Sequence, residues 1–533
     1  MGVVKMRWMP PAGVLALIFL LQCALLLVVV TPNWDGAFYY AYARSVVFDG
    51  DLALANDLQL AYPTAGADFV AKQLDTQRTV TGRVATPFAI GSALLWLPLL
   101  AALRLLALAG QALGLGVALD SGYEPFYLAA VNAFSALLGL AAFGLTYRLA
   151  RAELGRGSAL LGVATLMLAT PLLYYQFRDP LYSHTASAFV TALVVTVWWR
   201  AARGGQALPG TGGALLLGGL IGLASLVRWQ HVVYLALPVS SAVGWWWALP
   251  AGARRGGWSR PGRYLLLVGG AAFLVITPQL AFWRLFFGSW LTVPQGGGFL
   301  DWRAGFLGPL LFSSFRGLLA WMPIFFFGVA GLLLLARRRA RLALPLLLVL
   351  ALETYVNAST ADWFAGGGFG PRRYTSELLI LGVGYAAFLA ALRPGWRYWL
   401  GVPLGVALAW QQWILLRFGL VENLGGQVVS MAPDFAWQAD GLVAFARQLA
   451  GHVPALWQTP ADFLVLAGSP LDLWLRHGLV PWAHGWGLLA AAGVLAVGYG
   501  LVRSRPGVGR IWWWAGGVLL LILLADGWIL WLA

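Results

Sequence analysis

The chain has 533 residues, is 60% hydrophobic and 10% charged, and carries a net charge of +15. So many apolar runs of about 20 residues, the length that crosses a bilayer, exclude an ordinary soluble fold and indicate an all-α polytopic membrane protein of about 12–14 transmembrane helices. The positive balance does not indicate nucleic acid: Lys5 and Lys72 are the only lysines, and the arginines are scattered between apolar segments, as topology signals facing anionic lipid are.

In chain order, the first apolar stretch follows Lys5 and Arg7 and lacks a small-residue cleavage site, so it reads as a retained span, 12–30. The lone cysteine, Cys23, lies inside it, which excludes intramolecular disulfides and a cysteine-based zinc site. Asn33-Trp34-Asp35-Gly36-Ala37-Phe38-Tyr39-Tyr40 comes next and opens a long loop, 31–123. Apolar and aromatic residues at helical spacing over 38–48 predict a helix lying on the membrane, with Asp35 at its start in a capping position. The stretch 87–109 is apolar but carries Pro87, Pro98 and Arg104, so it reads as re-entrant or surface-lying.

Further spans follow at 124–147, 157–175, 184–200, 212–228, 232–249, 264–287, 310–335, 342–358, 374–391, 398–417, 482–502 and 511–531. If 87–109 does not cross, every basic loop falls on the cytoplasmic side, as the positive-inside rule expects. These loops hold Arg148/Arg151/Arg156, Arg200/Arg203, Arg254/Arg255/Arg260/Arg263, Arg337/Arg338/Arg339/Arg341, Arg393/Arg397 and Arg503/Arg505/Arg510. The domain division is then a main membrane module, 1–417, including the outer loop 31–123. An outer loop, 418–481, carries short amphipathic helices near 435–449 and 460–475, and a C-terminal transmembrane hairpin covers 482–533.

The charges that topology does not explain fall on the outer side: Asp35, Arg178, Asp179, His184, Arg228, Arg303, Arg316, Arg372 and Arg373, with Glu353 and Arg284 in spans near the same face. Ionisable groups at a lipid boundary are costly, and their convergence suits a site for a polar-headed lipid. Three segments carry the chemistry. Asp35 either caps its helix or takes a proton from an acceptor, with Tyr39 and Tyr40 beside it. Residues 174–184 put Arg178, Asp179 and His184 in a short loop, either as a neighbour pair with a capping histidine or as groups orienting a sugar. In 362–374, four glycines precede Arg372 and Arg373, a backbone that can approach a ligand closely and guanidinium forks that match phosphate oxygens. Arg228 and Arg316 each sit at an outer helix end, where an arginine holds a phosphate or snorkels.

An early aspartate after the first span, followed by aromatic-rich surface helices, resembles the GT-C superfamily of polyprenyl-phosphate-sugar glycosyltransferases, to which protein O-mannosyltransferases and the lipid A aminoarabinose transferase belong. Residues 362–374 are similar to the Trp-Gly-Gly…Phe-Gly-Pro-Arg pattern of uncharacterised bacterial members. The resemblance implies an active-site role for Asp35 and, through the second outer loop, for Asp179. Bacterial mannosyltransferase members often show an acidic pair at the first position; here Gly36 follows Asp35, which leaves open whether Asp179 supplies the second carboxylate.

The resemblance implies an inverting transferase that moves a sugar from a polyprenyl-phosphate donor to a glycan, lipid or protein acceptor. The reaction would take place on the outer face of a bacterial-type inner membrane. Asp35 is then the general base, and Arg372 and Arg373 bind the leaving phosphate. A divalent cation, Mg or Mn, held by Asp35 and Asp179 is an open option. Walker A, HExxH and GxSxG patterns are absent. The rival readings are a flippase for a lipid-linked glycan and an O-antigen-ligase-like transferase centred on 418–481.

Overall fold

A computed structural model describes residues 11–28, 32, 34–61, 74, 77–115, 119–203, 208–254, 256–313, 315–421, 450–451, 466 and 469–477. These residues are overwhelmingly helical, and the extended pairings among them are two isolated bridges, Arg78–Val84 and Leu300–Thr360. The longer helices are α1 (Pro11–Leu26), α2 (Trp34–Arg44), α3 (Ala55–Ala61), α4 (Gly91–Ala112), α5 (Pro125–Leu154), α6 (Arg156–Leu168) and α7 (Leu172–Phe177). They continue as α8 (His184–Arg203), α9 (Thr211–Val227), α10 (Ala236–Trp247), α11 (Ser259–Phe287), α12 (Ile324–Ala358), α13 (Leu378–Ala391) and α14 (Gly401–Val421). Among the described residues, seven helical segments are long and apolar enough to cross a membrane, and α1, α6 and α9 are shorter apolar helices. The chain is an integral, multi-pass membrane protein.

Small residues set how closely these helices pack. On α9, a Cβ at Gly218 would lie 2.2 Å from the Val268 carbonyl oxygen of α11, and one at Gly222 would lie 2.6 Å from that of Ala272. On α12, a Cβ at Gly331 would lie 1.8 Å from the Gly384 carbonyl of α13. Between apolar helices in lipid, backbone contact of this kind replaces the hydrophobic drive that water supplies elsewhere. Helix ends follow local chemistry: Pro125 begins α5, and Gly288, at φ 72°, ends α11.

α12 is two arms. Its 35 residues would measure about 52 Å if straight. Yet Phe325 near one end rings against Tyr374, while Glu353 near the other bonds His231, and the backbone breaks at Arg339 (φ −136°, ψ 52°). The chain therefore reverses at the Arg337–Arg341 cluster, between the expected spans 310–335 and 342–358. The first of those spans is shortened, because 307–321 breaks into short helices at Leu307–Phe312 and Leu318–Trp321. At this turn Arg339 and Arg203 lie 3.9 and 3.8 Å from Glu153, and Trp199 donates to the same carboxylate. Three of the basic loops thus meet at one end of the bundle.

The opposite end carries the loop 31–123, where protein covers the helix expected over 38–48. In α2, Ala37–Ala43 are buried on every face, under α3, α4 and the 78–90 segment. The packing explains why tyrosines could be placed there, since each hydroxyl finds a partner: Tyr39 with Ser183, Tyr40 with the Gly122 carbonyl, Tyr42 with Thr86. Helix α4 starts with Gly91 against the Leu226–Val227 backbone, where a Cβ would sit 2.3 Å away. Thirteen residues on, Arg104 donates to the Leu119 carbonyl at 2.8 Å, just before α5 begins. Both contacts belong to the same end of the bundle. Of the segment 460–475, a helix at Pro470–His477 is described; 435–449 and the spans 482–502 and 511–531 lie outside the described residues.

Under α2, Asp57 is wholly buried, with Arg44 at 3.3 Å from one oxygen and no partner for the other. Burial, opposed by Arg44, pushes its carboxyl up to about 7. The folded loop therefore holds a proton that the unfolded chain releases near the ordinary carboxylate range. Stability is full below that range and is lost as pH rises toward 7. Asp57→Asn is expected to match wild type near pH 4 and to exceed it at pH 8 by about 1–3 kcal/mol, read as thermal stability at the two pH values.

Candidate functional site

The site forms where α2, the loop between α7 and α8, and the glycine-rich segment before α13 come together. Gly36 lets α2 approach the second of these closely, since a Cβ there would lie 3.3 Å from the Leu181 Cβ. Asp35, in the first turn of α2, then meets Arg372, which is 337 residues away in sequence: Nη1 donates to Oδ2 at 2.5 Å. The two side chains are 21% and 11% exposed, so the pair is sheltered yet reachable. The Arg372 guanidinium carbon also stands 5.5 Å from the centre of the Tyr182 ring, and its Nε donates to the Ala365 carbonyl at 2.9 Å.

Glycine makes this position possible. At Gly368 a Cβ would lie 2.7 Å from both the Arg372 Cδ and the Tyr175 hydroxyl oxygen. The Tyr175 hydroxyl clamps the same loop, accepting from the Phe369 amide and donating to its carbonyl. Among the described residues, three of the four non-glycine residues with positive φ border this cluster: Trp34 (39°), Arg316 (63°) and Ala365 (62°). Strained backbone gathered in one place is a mark of sites where geometry outranks local comfort. Gly368→Ala is expected to displace the Arg372 side chain and lower activity about 100-fold. Gly367→Ala, which has open space around it, should leave activity near wild type.

A second arginine faces the same region. Arg228, just past the end of α9, donates through Nε to the Ser183 hydroxyl at 3.1 Å, and Ser183 bonds the Tyr39 hydroxyl at 3.1 Å. Its Nη1 is buried and makes no hydrogen bond among the described residues. Arg316 bonds the Phe364 carbonyl at 3.4 Å and lies close enough to Arg372 for their charges to repel. Asp179 is 5% exposed, with the Tyr174 hydroxyl 3.5 Å from Oδ2. Burial, followed by the nearby Asp35 carboxylate, pushes the Asp179 carboxyl well above the usual carboxylate range. Three guanidinium groups, those of Arg228, Arg316 and Arg372, near the Asp35 carboxylate make a region suited to an anion.

Other expected residues face elsewhere. Arg373 turns away from Asp35 and pairs with Asp362, with Thr360 accepting at 2.7 Å. Tyr40 points to the far side of α2, against Tyr123. Arg178 has Tyr174, Asp179, Arg417 and Asp472 as its charged neighbours, and burial lowers its affinity for its proton. His184 lies behind the site, wholly buried, bonded to the Thr375 hydroxyl at 2.9 Å with its ring 3.9 Å from that of Tyr175. Arg303 is exposed on its own loop, and Arg284 bonds the Gly288 carbonyl at the end of α11. Sequence reading gave no role to Tyr175, Tyr182 or Ser183; the aromatic run around Asp179 was the available signal. Nor did it group His231, Glu353 and Glu377, the one set of three metal-ligating side chains gathered among the described residues. Asp35, where a cation was an option, meets a guanidinium.

No family model matches the chain, and no curated protein matches it. Solved structures do. ArnT from Cupriavidus metallidurans bound to undecaprenyl phosphate is 16% identical, with 93% of this chain and 80% of that chain covered, at a TM-score of 0.46. An Archaeoglobus fulgidus oligosaccharyltransferase in the apo form is 16% identical, with 91% of this chain and 60% of that chain covered, at a TM-score of 0.42. AglB from the same organism, in complex with an inhibitory peptide and a dolichol-phosphate, is 16% identical with 91% and 60% covered, at a TM-score of 0.40. This chain thus spans about 60% of the length of the archaeal proteins.

Proposed function

We propose that this protein is an inverting glycosyltransferase that moves a sugar from a polyprenyl-phosphate donor to an acceptor at the outer face of the membrane. The observation that carries the reading is the Asp35–Arg372 pair beside the unpartnered Nη1 of Arg228. Asp35 keeps its second oxygen for an acceptor hydroxyl and takes its proton as the new bond to the anomeric carbon forms. The bond from that carbon to the donor phosphate breaks on the opposite side, and the electron pair leaves with the phosphate. Arg228 and Arg372 stabilise the charge that develops there. Arg373, committed to Asp362 and Thr360, holds the loop instead of the phosphate. Asp179, buried beside the Tyr174 hydroxyl, bonds a sugar hydroxyl and orients the ring.

The test is purified protein in lipid nanodiscs with a panel of polyprenyl-phosphate sugars, following release of polyprenyl phosphate and sugar transfer. Transfer from at least one donor is expected, with Arg228→Gln weakening donor binding about 10–100-fold, the share of one charge-assisted hydrogen bond. Movement of labelled lipid across the bilayer with no donor cleaved would favour the flippase, a class in which buried membrane acids such as Glu353 also occur. Facing is tested separately. In a Cys23→Ser background, Gly367→Cys should react with an impermeant thiol reagent from outside intact cells, and Arg338→Cys should not. Gly367 is exposed whereas Ser183 is fully buried, so the glycine is the position to probe.

A further inference from the structure

Behind the site lies a group of buried side chains that the proposed reaction does not use. His231 sits in the 3-10 turn Trp229–Leu235 after α9, Glu353 in the second arm of α12, and Glu377 at the end of the 3-10 turn Arg372–Glu377. They are 0–1% exposed, and one donor atom from each lies within 4.8 Å of the other two. Two carboxyl groups so close in an apolar interior cannot both stay ionised without a nearby positive charge. Arg228 and Arg373 act on Glu353 only from a distance, and neither forms an ion pair with Glu353 or Glu377.

Each of the three is held from outside by a fixed partner. The His231 Nε2 meets the Ser187 hydroxyl at 2.6 Å, the Gln230 amide donates to Glu353 Oε2 at 3.3 Å, and the Tyr234 hydroxyl donates to Glu377 Oε2 at 2.7 Å. That leaves His231 Nδ1 and Glu353 Oε1, 2.8 Å apart, and Glu377 Oε1, which is buried with no partner. Metal-binding histidines and carboxylates are oriented by just such outer partners. We propose that His231, Glu353 and Glu377 bind a divalent transition-metal ion, with zinc the best match, through Nδ1 and one oxygen of each carboxylate.

One imidazole and two carboxylates suit zinc, whose bonds of about 2.0–2.2 Å need donor atoms roughly 3–4 Å apart. The +2 charge cancels both carboxylates, so the ion leaves no net charge in the membrane interior. Its effect is mechanical. It ties the turn that carries Arg228 to the turn that carries Arg372, with α12 as the third anchor. The proposal does not depend on the glycosyltransferase reading.

The experiment is elemental analysis of full-length protein expressed in zinc-supplemented medium and purified without chelator. About one zinc per chain is expected in wild type. Glu377→Gln keeps the side-chain shape and an acceptor for Tyr234, and it should lose at least nine-tenths of that zinc, as should His231→Gln. Stripping the metal from wild type with a chelator should add an infrared band of a buried protonated carboxylic acid beyond that of other buried carboxyls such as Asp57, and this needs no variant to fold. A folded wild type without metal, whose acid band does not change on chelation, would overturn the site. Zinc retained at full stoichiometry in both variants would overturn it too, by placing the ion elsewhere.

Discussion

Asp35→Asn is expected to lower turnover by about 10²–10⁴-fold, the range that a positioned general base contributes. The amide oxygen can still accept from Arg372, so donor affinity should change only a few-fold and the loss should fall on kcat. Full-rate transfer by Asp35→Asn would remove Asp35 from the chemistry and leave it as the anchor of α2.

Arg372→Ala should be the other large effect. It strips Asp35 of its partner, unhooks the loop from Ala365 and uncovers the Tyr182 ring in one step. The partly exposed pair is worth less than a fully buried one, so a loss of about 2–3 kcal/mol in stability is expected. Transfer should fall about 10³-fold, combining the lost phosphate contact with the misplaced base. Arg373→Ala, next in sequence, should cost less than tenfold in transfer, because its partner Asp362 is 37% exposed and faces away from Asp35. Equal losses in the two variants, measured as kcat/KM, would show that the arginines share one role and that their separation here is wrong.

That contrast marks where the sequence was legible. The glycine run before Arg372 and Arg373 signalled a loop that could approach a ligand, and the outer-side arginines stood out because topology gave them no reason. Neighbouring residues with one chemistry cannot be told apart by type, however. The 3-10 turn points Arg372 at Asp35 and Arg373 at Asp362, and only the fold of Arg372–Glu377 decides that. Tyr39 and Tyr40 divide in the same way, one toward Ser183 and the other toward Gly122. The cover over the helix expected at 38–48 was hidden for a related reason. Aromatic, amphipathic patterning suits a membrane interface and a protein interior equally well, and the cover supplied by α4 and the 78–90 segment is not written in α2 itself.

Composition and charge alone determined that this is a multi-pass helical membrane protein with basic clusters at alternate turns. Lipid imposes one rule on every segment separately: backbone polar groups must be satisfied within a helix. Tertiary structure alone decided which carboxylate meets which guanidinium, and that His231, Glu353 and Glu377 share one buried chamber. Contacts between residues hundreds of positions apart depend on helix crossings set by small residues such as Gly218, Gly222 and Gly331, and a linear string carries no record of those distances.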